Sequence, residues 1–424
     1  MKKNVVIIAG GKGTRLKRSI GEIPKSLAKI NKKTLFEYQL DELKKQDFLN
    51  VHLCLGFGHK EIIKLINKKY KNDFNISYTI EDTPMGTYGA LYNAKDFLDK
   101  KIFVLFGDII FNFDIQSGFN NFKSDVLLVT RYSDHPKDSD IVIEDSDNFR
   151  EFKRHKDLTY PYKPLGNTGL FFIKKNKLFE SNSAKSDIFK DYLTNNSSSL
   201  NIQTTLSTNY IKDVGTTKRY KEAQKDIDEK LKEKDSVFFI DRDETLITDA
   251  GNENIWQELE FKKDALKLLS FLQKKNSILI LLTNQPGIAK GFCSNKDVEK
   301  FHSHMQHLLI ENELKPLDAI YFCPHHPDAG FKNEVKELKK ICQCRKPKKG
   351  LAEEAIKDLN LKNKKLFFIG DTSRDYKLAN KYKSKSYIVE SKFSEKEYFK
   401  KEGIALYKNL NQVIKDLNDN IFSS

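Results

Sequence analysis

The chain has 424 residues, 39% hydrophobic and 31% charged, a globular balance that at about 150 residues per domain makes two or three domains and excludes one small module. No apolar run approaches the roughly 18 residues that cross a bilayer, so a soluble, cytoplasmic protein with no membrane partner is expected. The 74 basic against 59 acidic side chains leave a net charge of +15, which alone fits nucleic acid, an anionic surface or small phosphorylated substrates.

Along the chain, Met1-Lys2-Lys3-Asn4 and the apolar Val5–Ala9 imitate a leader. The run is shorter than a secretory core and ends in glycines, which predicts a first strand over 4–9 instead. Short apolar runs rich in β-branched residues follow at 51–55, 102–106, 126–130, 237–240, 278–282 and 366–369, with helix-like segments between them and a further strand expected over 201–206. That alternation predicts α/β domains with largely parallel, doubly wound sheets, whose ligand sites lie beyond the carboxyl ends of the strands. The Ser-rich stretch 195–199 is expected to be a surface loop. Between about Tyr220 and Asp235 almost every residue is polar or charged, the composition of an exposed helix or linker. The expected division is a first domain over 1–222, a linker over 223–234 and a second domain over 235–424.

Directly after the first strand stands Gly10-Gly11-Lys12-Gly13-Thr14-Arg15, followed by Pro24-Lys25. Glycines let backbone N–H groups close around an anionic oxygen, and Arg15 and Lys25 supply charge for a triphosphate. The run lacks the Gly-Lys-Ser/Thr ending of a P-loop and the dinucleotide spacing. Two acids at strand ends, Asp108 and Asp213, could hold one Mg²⁺ between them. Together this set strongly resembles the sugar-1-phosphate nucleotidyltransferases over roughly 1–222. The resemblance implies a Rossmann-like, doubly wound fold and an in-line displacement: a sugar phosphate attacks the nucleotide α-phosphorus and pyrophosphate leaves. It further implies that Gly10, Gly11, Gly13 and Thr14 bind the nucleotide, Arg15 and Lys25 neutralise phosphate charge, and Asp108 with Asp213 carries Mg²⁺. Gly86 and Thr87, in Pro84-Met85-Gly86-Thr87-Tyr88-Gly89, look like that family's segment near base and sugar, with Tyr88 where many members have glycine. Asn167 and Gly169 resemble its Asn-x-Gly contact to sugar hydroxyls. For the basic partner of the sugar phosphate, Lys153, Arg154 and Lys156 are equal candidates.

Five cysteines are an odd number, and Cys323, Cys342 and Cys344 crowd one region, which suits a metal site in a reducing compartment better than a disulfide framework. Cys323-Pro324-His325 and Cys342-Gln343-Cys344 provide four ligands for a closed, structural Zn²⁺, with His326 competing with His325. The strand over 237–240 delivers Asp241-Arg242-Asp243. Two acids two residues apart can divide the work, one attacking phosphorus and the other protonating the leaving oxygen and then activating water. Thr283 and Asn284 offer a hydroxyl and an amide to a phosphoryl oxygen, Arg345-Lys346 add charge, and Asp371 ends another strand with Asp375 four residues on. This order resembles the haloacid dehalogenase superfamily of phosphatases. It implies that Asp241 forms an aspartyl-phosphate, Asp243 is the general acid/base, and Thr283 and Lys346 hold the transferring group. Asp241, Asp243 and Asp371 would carry Mg²⁺, and Asn284 and Arg345 would face substrate. Glu244 stands where glycine is often found.

Asp-Arg-Asp, Thr283–Ala289, Cys-Pro-His-His-Pro and Cys-x-Cys-Arg-Lys-Pro together closely resemble the D-glycero-D-manno-heptose 1,7-bisphosphate 7-phosphatases; histidinol-phosphate phosphatases share much of the zinc pattern. The first domain is similar to the heptose 1-phosphate guanylyltransferases. A 7-phosphatase yields what such a transferase consumes, so the expectation is a bifunctional enzyme of GDP-heptose synthesis for surface polysaccharide, free to form oligomers. It would use small phosphorylated substrates, Mg²⁺ in both domains and Zn²⁺ in the second. The alternative is a mannose-1-phosphate guanylyltransferase, or another NDP-sugar pyrophosphorylase, fused to a histidinol-phosphate-type phosphatase. No basic-aromatic recognition motif favours nucleic acid.

Overall fold

The computed structural model describes residues 3–11, 13–145, 147–178, 185–249 and 251–422; Lys12 of the glycine-rich turn, Met1 and Lys2 lie outside them. Two units divide the chain, one of Met1–Arg131, Asp140–Arg154 and Gly166–Glu233, the other of Tyr132–Ser139, His155–Leu165 and Lys234–Ser424. Each builds its own sheet and core.

In the first unit β1 (Lys3–Ala9) lies between β2 (Asn50–Leu55) and β4 (Leu98–Phe106), with β3 (Asn75–Ile80) outside β2, all parallel. Val5, Val6 and Ile7 are fully buried on both faces of β1, as a continuous apolar run in a central parallel strand requires. Seven further strands follow: β5 (Ile109–Phe111), β6 (Val126–Tyr132), β7 (Ile141–Asp145), β8 (Asn148–Lys153), β9 (Leu165–Lys174), β10 (Ile202–Leu206) and β11 (Ile211–Asp213). The large sheet runs β3-β2-β1-β4-β9-β6-β10-β8-β7. Here the expectation of largely parallel strands is corrected. β9 is antiparallel to β4, and β7 and β8 form an antiparallel hairpin whose turn residue Asp147 has φ +65°, since so short a connection can join only antiparallel neighbours.

His52, on β2, is fully buried, with Nδ1 2.8 Å from Ser77 Oγ and Nε2 3.2 Å from Thr79 Oγ1. Burial, aided by the charge of Lys3, pushes its pKa down from 6.5 to about 4. Within that window the unfolded chain binds a proton that the folded chain refuses, so stability falls as pH drops, by up to about 3 kcal/mol. In urea titrations His52→Gln is expected to lose less stability than the parent between pH 7 and pH 4.5; an equal loss would place the proton elsewhere.

The charged stretch at the boundary is a helix, Thr217–Lys230, capped by the Thr216 side chain accepting from Arg219 N–H. Its Ala223 and Ile227, one turn apart, are buried beside Leu16, Ala28, Ile30 and Val214, which ties most of the 223–234 segment to the first unit.

The second unit follows the expected plan. Strands β12 (Ser236–Ile240), β13 (Ile278–Asn284), β14 (Ala319–Cys323), β15 (Lys365–Gly370), β16 (Lys385–Val389) and β17 (Leu406–Tyr407) form one parallel sheet in the order β14-β13-β12-β15-β16-β17. The strand order reverses beside β12, so the carboxyl ends of β12 and β15 frame a crevice; β1 and β4 do the same in the first unit. Among the described residues no helix is long and apolar enough to cross a membrane.

Candidate active sites

At the carboxyl ends of β1 and β4 the first unit opens a cleft of about 300 Å³, lined by Gly11, Gly13, Thr14, Arg15, Lys25, Ser26, Thr87, Phe106, Asp108 and Gly215 among others. Glycine is needed here for two different reasons. A Cβ at Gly10 would sit 2.3 Å from Glu81 Oε1, and Gly13 turns with φ +61°. At Gly11 a Cβ would meet nothing within 4 Å, which leaves that backbone open to the cleft. Lys25 Nζ bonds the Asp108 carboxylate and lies 3.9 Å from Asp213 Oδ1. Two carboxylates converging on one ammonium form a hard-oxygen pair that fits Mg²⁺.

Other expected contacts take local tasks. Asn167 Oδ1 accepts from Gly169 N–H at 3.1 Å, and Gly169 turns with φ +77° against the Phe106 ring. Thr87 Oγ1 donates to Asp187 Oδ2 at 3.1 Å and accepts from Ile188 N–H at 2.7 Å, while Gly86 packs against the Ser186 backbone. Gly10, Gly86, Asn167 and Gly169 are thus beside the cleft and not in its lining. Tyr88 turns away altogether, fully buried and stacked on Tyr192 at 3.8 Å. Lys153 pairs with Glu151 at 2.9 Å, Arg154 with Asp140 at 3.0 Å, and Lys156 is exposed, so none of the three lines the cleft. Two residues escaped the sequence reading. Arg219 Nη1 holds Asp213 Oδ2 at 2.5 Å, and its only signal was its place in the first turn of the helix after that strand. Ser26, beside Lys25, lines the cleft with a buried Oγ that has no hydrogen-bond partner among the described residues.

In the second unit Asp241 follows β12 and Asp371 follows β15, as expected. Lys346 Nζ, buried, lies 2.8 Å from Asp241 Oδ1 and 2.7 Å from Asp375 Oδ1. Oxygens of Asp241, Asp371 and Asp375 all fall within 4.8 Å of one another. Burial, with like charge from neighbouring acids, raises Asp241 to about 6 and Asp371 to about 8. Two buried carboxylates and the half-buried Asp241 share one ammonium, and a divalent cation among them would favour their ionised forms. Asp243 does not join this cluster, contrary to expectation: its Oδ1 is held by Arg242 Nε at 3.0 Å and its Oδ2 by Gln285 Nε2 at 2.9 Å. Asp375 takes its place, brought close because Gly370 leaves room where a Cβ would lie 2.2 Å from the Asp375 carboxyl carbon.

Thr283 Oγ1 accepts from Gln285 Nε2 at 2.9 Å. Asn284 is spent on the backbone rather than on a ligand: its Oδ1 accepts from Lys346 N–H at 2.9 Å and its Nδ2 donates to Lys346 O at 3.2 Å. Arg345 Nη1 reaches His325 O at 3.4 Å. Glu244 occupies the left-handed region at φ +55° and is held there by Lys262 at 3.0 Å and Asp249 N–H at 3.1 Å, which accounts for glycine being common at such a position.

Cys323, His325, Cys342 and Cys344 converge. Cys344 Sγ lies 3.2 Å from both other sulfurs and 3.1 Å from His325 Nδ1, and Cys323 Sγ lies 3.5 Å from Cys342 Sγ. A tetrahedron with Zn–S bonds of about 2.3 Å has edges of about 3.8 Å, so four donors already this close fit a single Zn²⁺. His326 faces Asp328 instead.

Both halves of the chain are similar to known proteins. Residues 4–139 match the nucleotidyl transferase family and 236–402 the polynucleotide kinase 3 phosphatase family. D-glycero-beta-D-manno-heptose-1,7-bisphosphate 7-phosphatase from Haemophilus ducreyi is 37% identical over 33% of this chain and 74% of its own length. D-glycero-alpha-D-manno-heptose 1-phosphate guanylyltransferase from Campylobacter jejuni is 28% identical over 51% of this chain and 96% of its own. The crystal structure of HddC from Yersinia pseudotuberculosis is 25% identical, covering 54% of this chain and all of that one, with a TM-score of 0.47.

Proposed function

Since this chain belongs, through its second unit, to the family of the D-glycero-beta-D-manno-heptose-1,7-bisphosphate 7-phosphatases, we propose that it carries two consecutive steps of GDP-heptose synthesis. The second unit removes the 7-phosphate of the heptose bisphosphate. The first transfers GMP from GTP to the resulting heptose 1-phosphate and releases pyrophosphate. The observation that carries the reading is the bridge of Lys346 Nζ between Asp241 and Asp375 at the crevice of a parallel sheet, a half-buried nucleophile held against its buried charge partner.

In the phosphatase Asp241 attacks phosphorus, Asp243 gives its proton to the leaving sugar oxygen, and Asp243 then takes a proton from the water that cleaves the aspartyl-phosphate. Lys346 and the Thr283 hydroxyl orient the transferring group. Asp241, Asp371 and Asp375 are the oxygens that would hold Mg²⁺, which when bound offsets phosphoryl charge. In the transferase no covalent intermediate is needed: the glycine-rich turn, Arg15 and Lys25 hold the triphosphate in line with the sugar phosphate, and Asp108 with Asp213 would hold the metal. Catalysis there is positioning and charge neutralisation. Both reactions belong in the cytoplasm, where GTP is supplied and the cysteines stay reduced.

The test is one reaction followed by phosphorus NMR: the protein, Mg²⁺, each anomer of the heptose 1,7-bisphosphate and each nucleoside triphosphate in turn. Phosphate is expected first, then pyrophosphate with GTP. Both anomers are needed because the phosphatase relative is named for the beta form and the transferase relative for the alpha. Release of pyrophosphate from mannose 1-phosphate, with no phosphate from the heptose bisphosphate, would overturn the reading.

The zinc reading has its own test. Elemental analysis is expected to find about one Zn per chain and none in Cys344→Ser, with faster proteolysis of the 324–345 segment in the variant. Zinc-free parent protein would sink the assignment.

A further inference from the structure

We propose that Arg242 is a positioning residue of the phosphatase, which fixes the Asp243 carboxylate so that Oδ2 is the oxygen that carries the transferred proton. The inference rests on the reading of Asp243 as the acid. Arg242 stands between the two working aspartates, yet it has no exposed surface. Nε and Nη2 lie 3.0 and 2.9 Å from Asp243 Oδ1, Nη2 also donates to Gln285 Oε1 at 2.9 Å, and Nη1 lies 3.2 Å from His302 Nε2. The guanidinium carbon sits 4.5 Å over the Phe301 ring. Arginine can only donate, so His302 Nε2 accepts and the ring is neutral; burial and the arginine's charge hold its pKa far below the usual range.

A fully desolvated guanidinium is costly unless its donors are matched, and here each nitrogen finds an acceptor. The matching makes the two oxygens of Asp243 unequal. Oδ1 takes two charge-assisted donors, while Oδ2 takes one neutral donor, Gln285 Nε2, which also reaches Thr283 Oγ1 at 2.9 Å. Oδ1 is therefore committed to the guanidinium, and Oδ2 is the oxygen left to exchange a proton with sugar and water. As Asp241 bonds to phosphorus and the sugar O–P bond breaks, the Oδ2–H bond breaks and the proton bonds to the sugar oxygen. The carboxylate left behind is balanced by Arg242. When water then attacks the aspartyl-phosphate, its proton returns to Oδ2 and phosphate leaves.

The test compares a leaving group that needs a proton with one that does not. With the heptose bisphosphate, Arg242→Gln is expected to lower kcat about 100-fold or more. With 2,4-dinitrophenyl phosphate, the burst of dinitrophenolate should stay within about threefold of the parent, because that leaving group departs unprotonated. Equal loss on both substrates would make Arg242 a structural residue only and overturn the proposal. Should Arg242→Gln fail to fold, Arg242→Lys, which keeps charge and length but not the fork, decides on the same ratio. Asp243→Asn separates the two levels: if it retains full activity on the sugar, the reading of Asp243 fails first.

Discussion

Replacing Asp241 with asparagine is expected to abolish phosphate release from the heptose bisphosphate, by about 10⁴-fold or more, while nucleotidyl transfer to supplied heptose 1-phosphate stays within about twofold of the parent. The reason is local. Asp241 is the only acid of its cluster that both touches Lys346 and ends the central strand β12, so no neighbour can deliver an oxygen to the same phosphorus. An amide is close in size and keeps a hydrogen-bonding oxygen, so the fold should stand. It is not a competent nucleophile, however, and it removes one charge from the set that attracts the cation. Separate assays of phosphate and pyrophosphate on one preparation make the check. Loss of both activities would refute two independent sites; unchanged phosphate release would remove Asp241 from the mechanism.

The second large effect is expected at Asp108. Asp108→Ala should lower pyrophosphate release about 10³-fold, with phosphate release untouched. Asp108 and Asp213 both converge on Lys25, and Asp213 is further neutralised by Arg219. With Asp108 gone, Lys25 is left facing a carboxylate that Arg219 already occupies, and the cleft can no longer balance a cation and a triphosphate together. Raising Mg²⁺ should recover part of the rate if Asp108 acts as a ligand. Unchanged pyrophosphate release at low Mg²⁺ would show that the metal is held elsewhere.

The sequence made the strand ends legible because chemistry there is written in short contiguous words. Gly10 to Arg15, Asp241 to Asp243 and Gly370-Asp371 each follow an apolar run that can only be a buried strand. It also made the convergence of Cys323, His325, Cys342 and Cys344 legible, since two paired donor clusters are rare by chance. Partnerships across distance were not legible. That Asn284 would serve the backbone of Lys346, or that Asp375 and not Asp243 would join Asp241 and Asp371, depends on which side chains meet once the sheet is assembled. Likewise the mixed half of the first sheet is decided by connection lengths and pairing, to which residue type contributes weakly.

Lys346 lies two residues beyond Cys344, and Asn284 grips its backbone on both sides. Two residues of chain span at most about 7 Å, so the proposed zinc at Cys344 would be a short tether on the backbone that carries the Lys346 ammonium. The entropy of ordering that lysine is then met once, at folding, and not again at each turnover. On that proposal, the protein without zinc would have to find the same arrangement from a loose loop every cycle. Its Eyring plot would carry that search as a more negative activation entropy at nearly unchanged activation enthalpy.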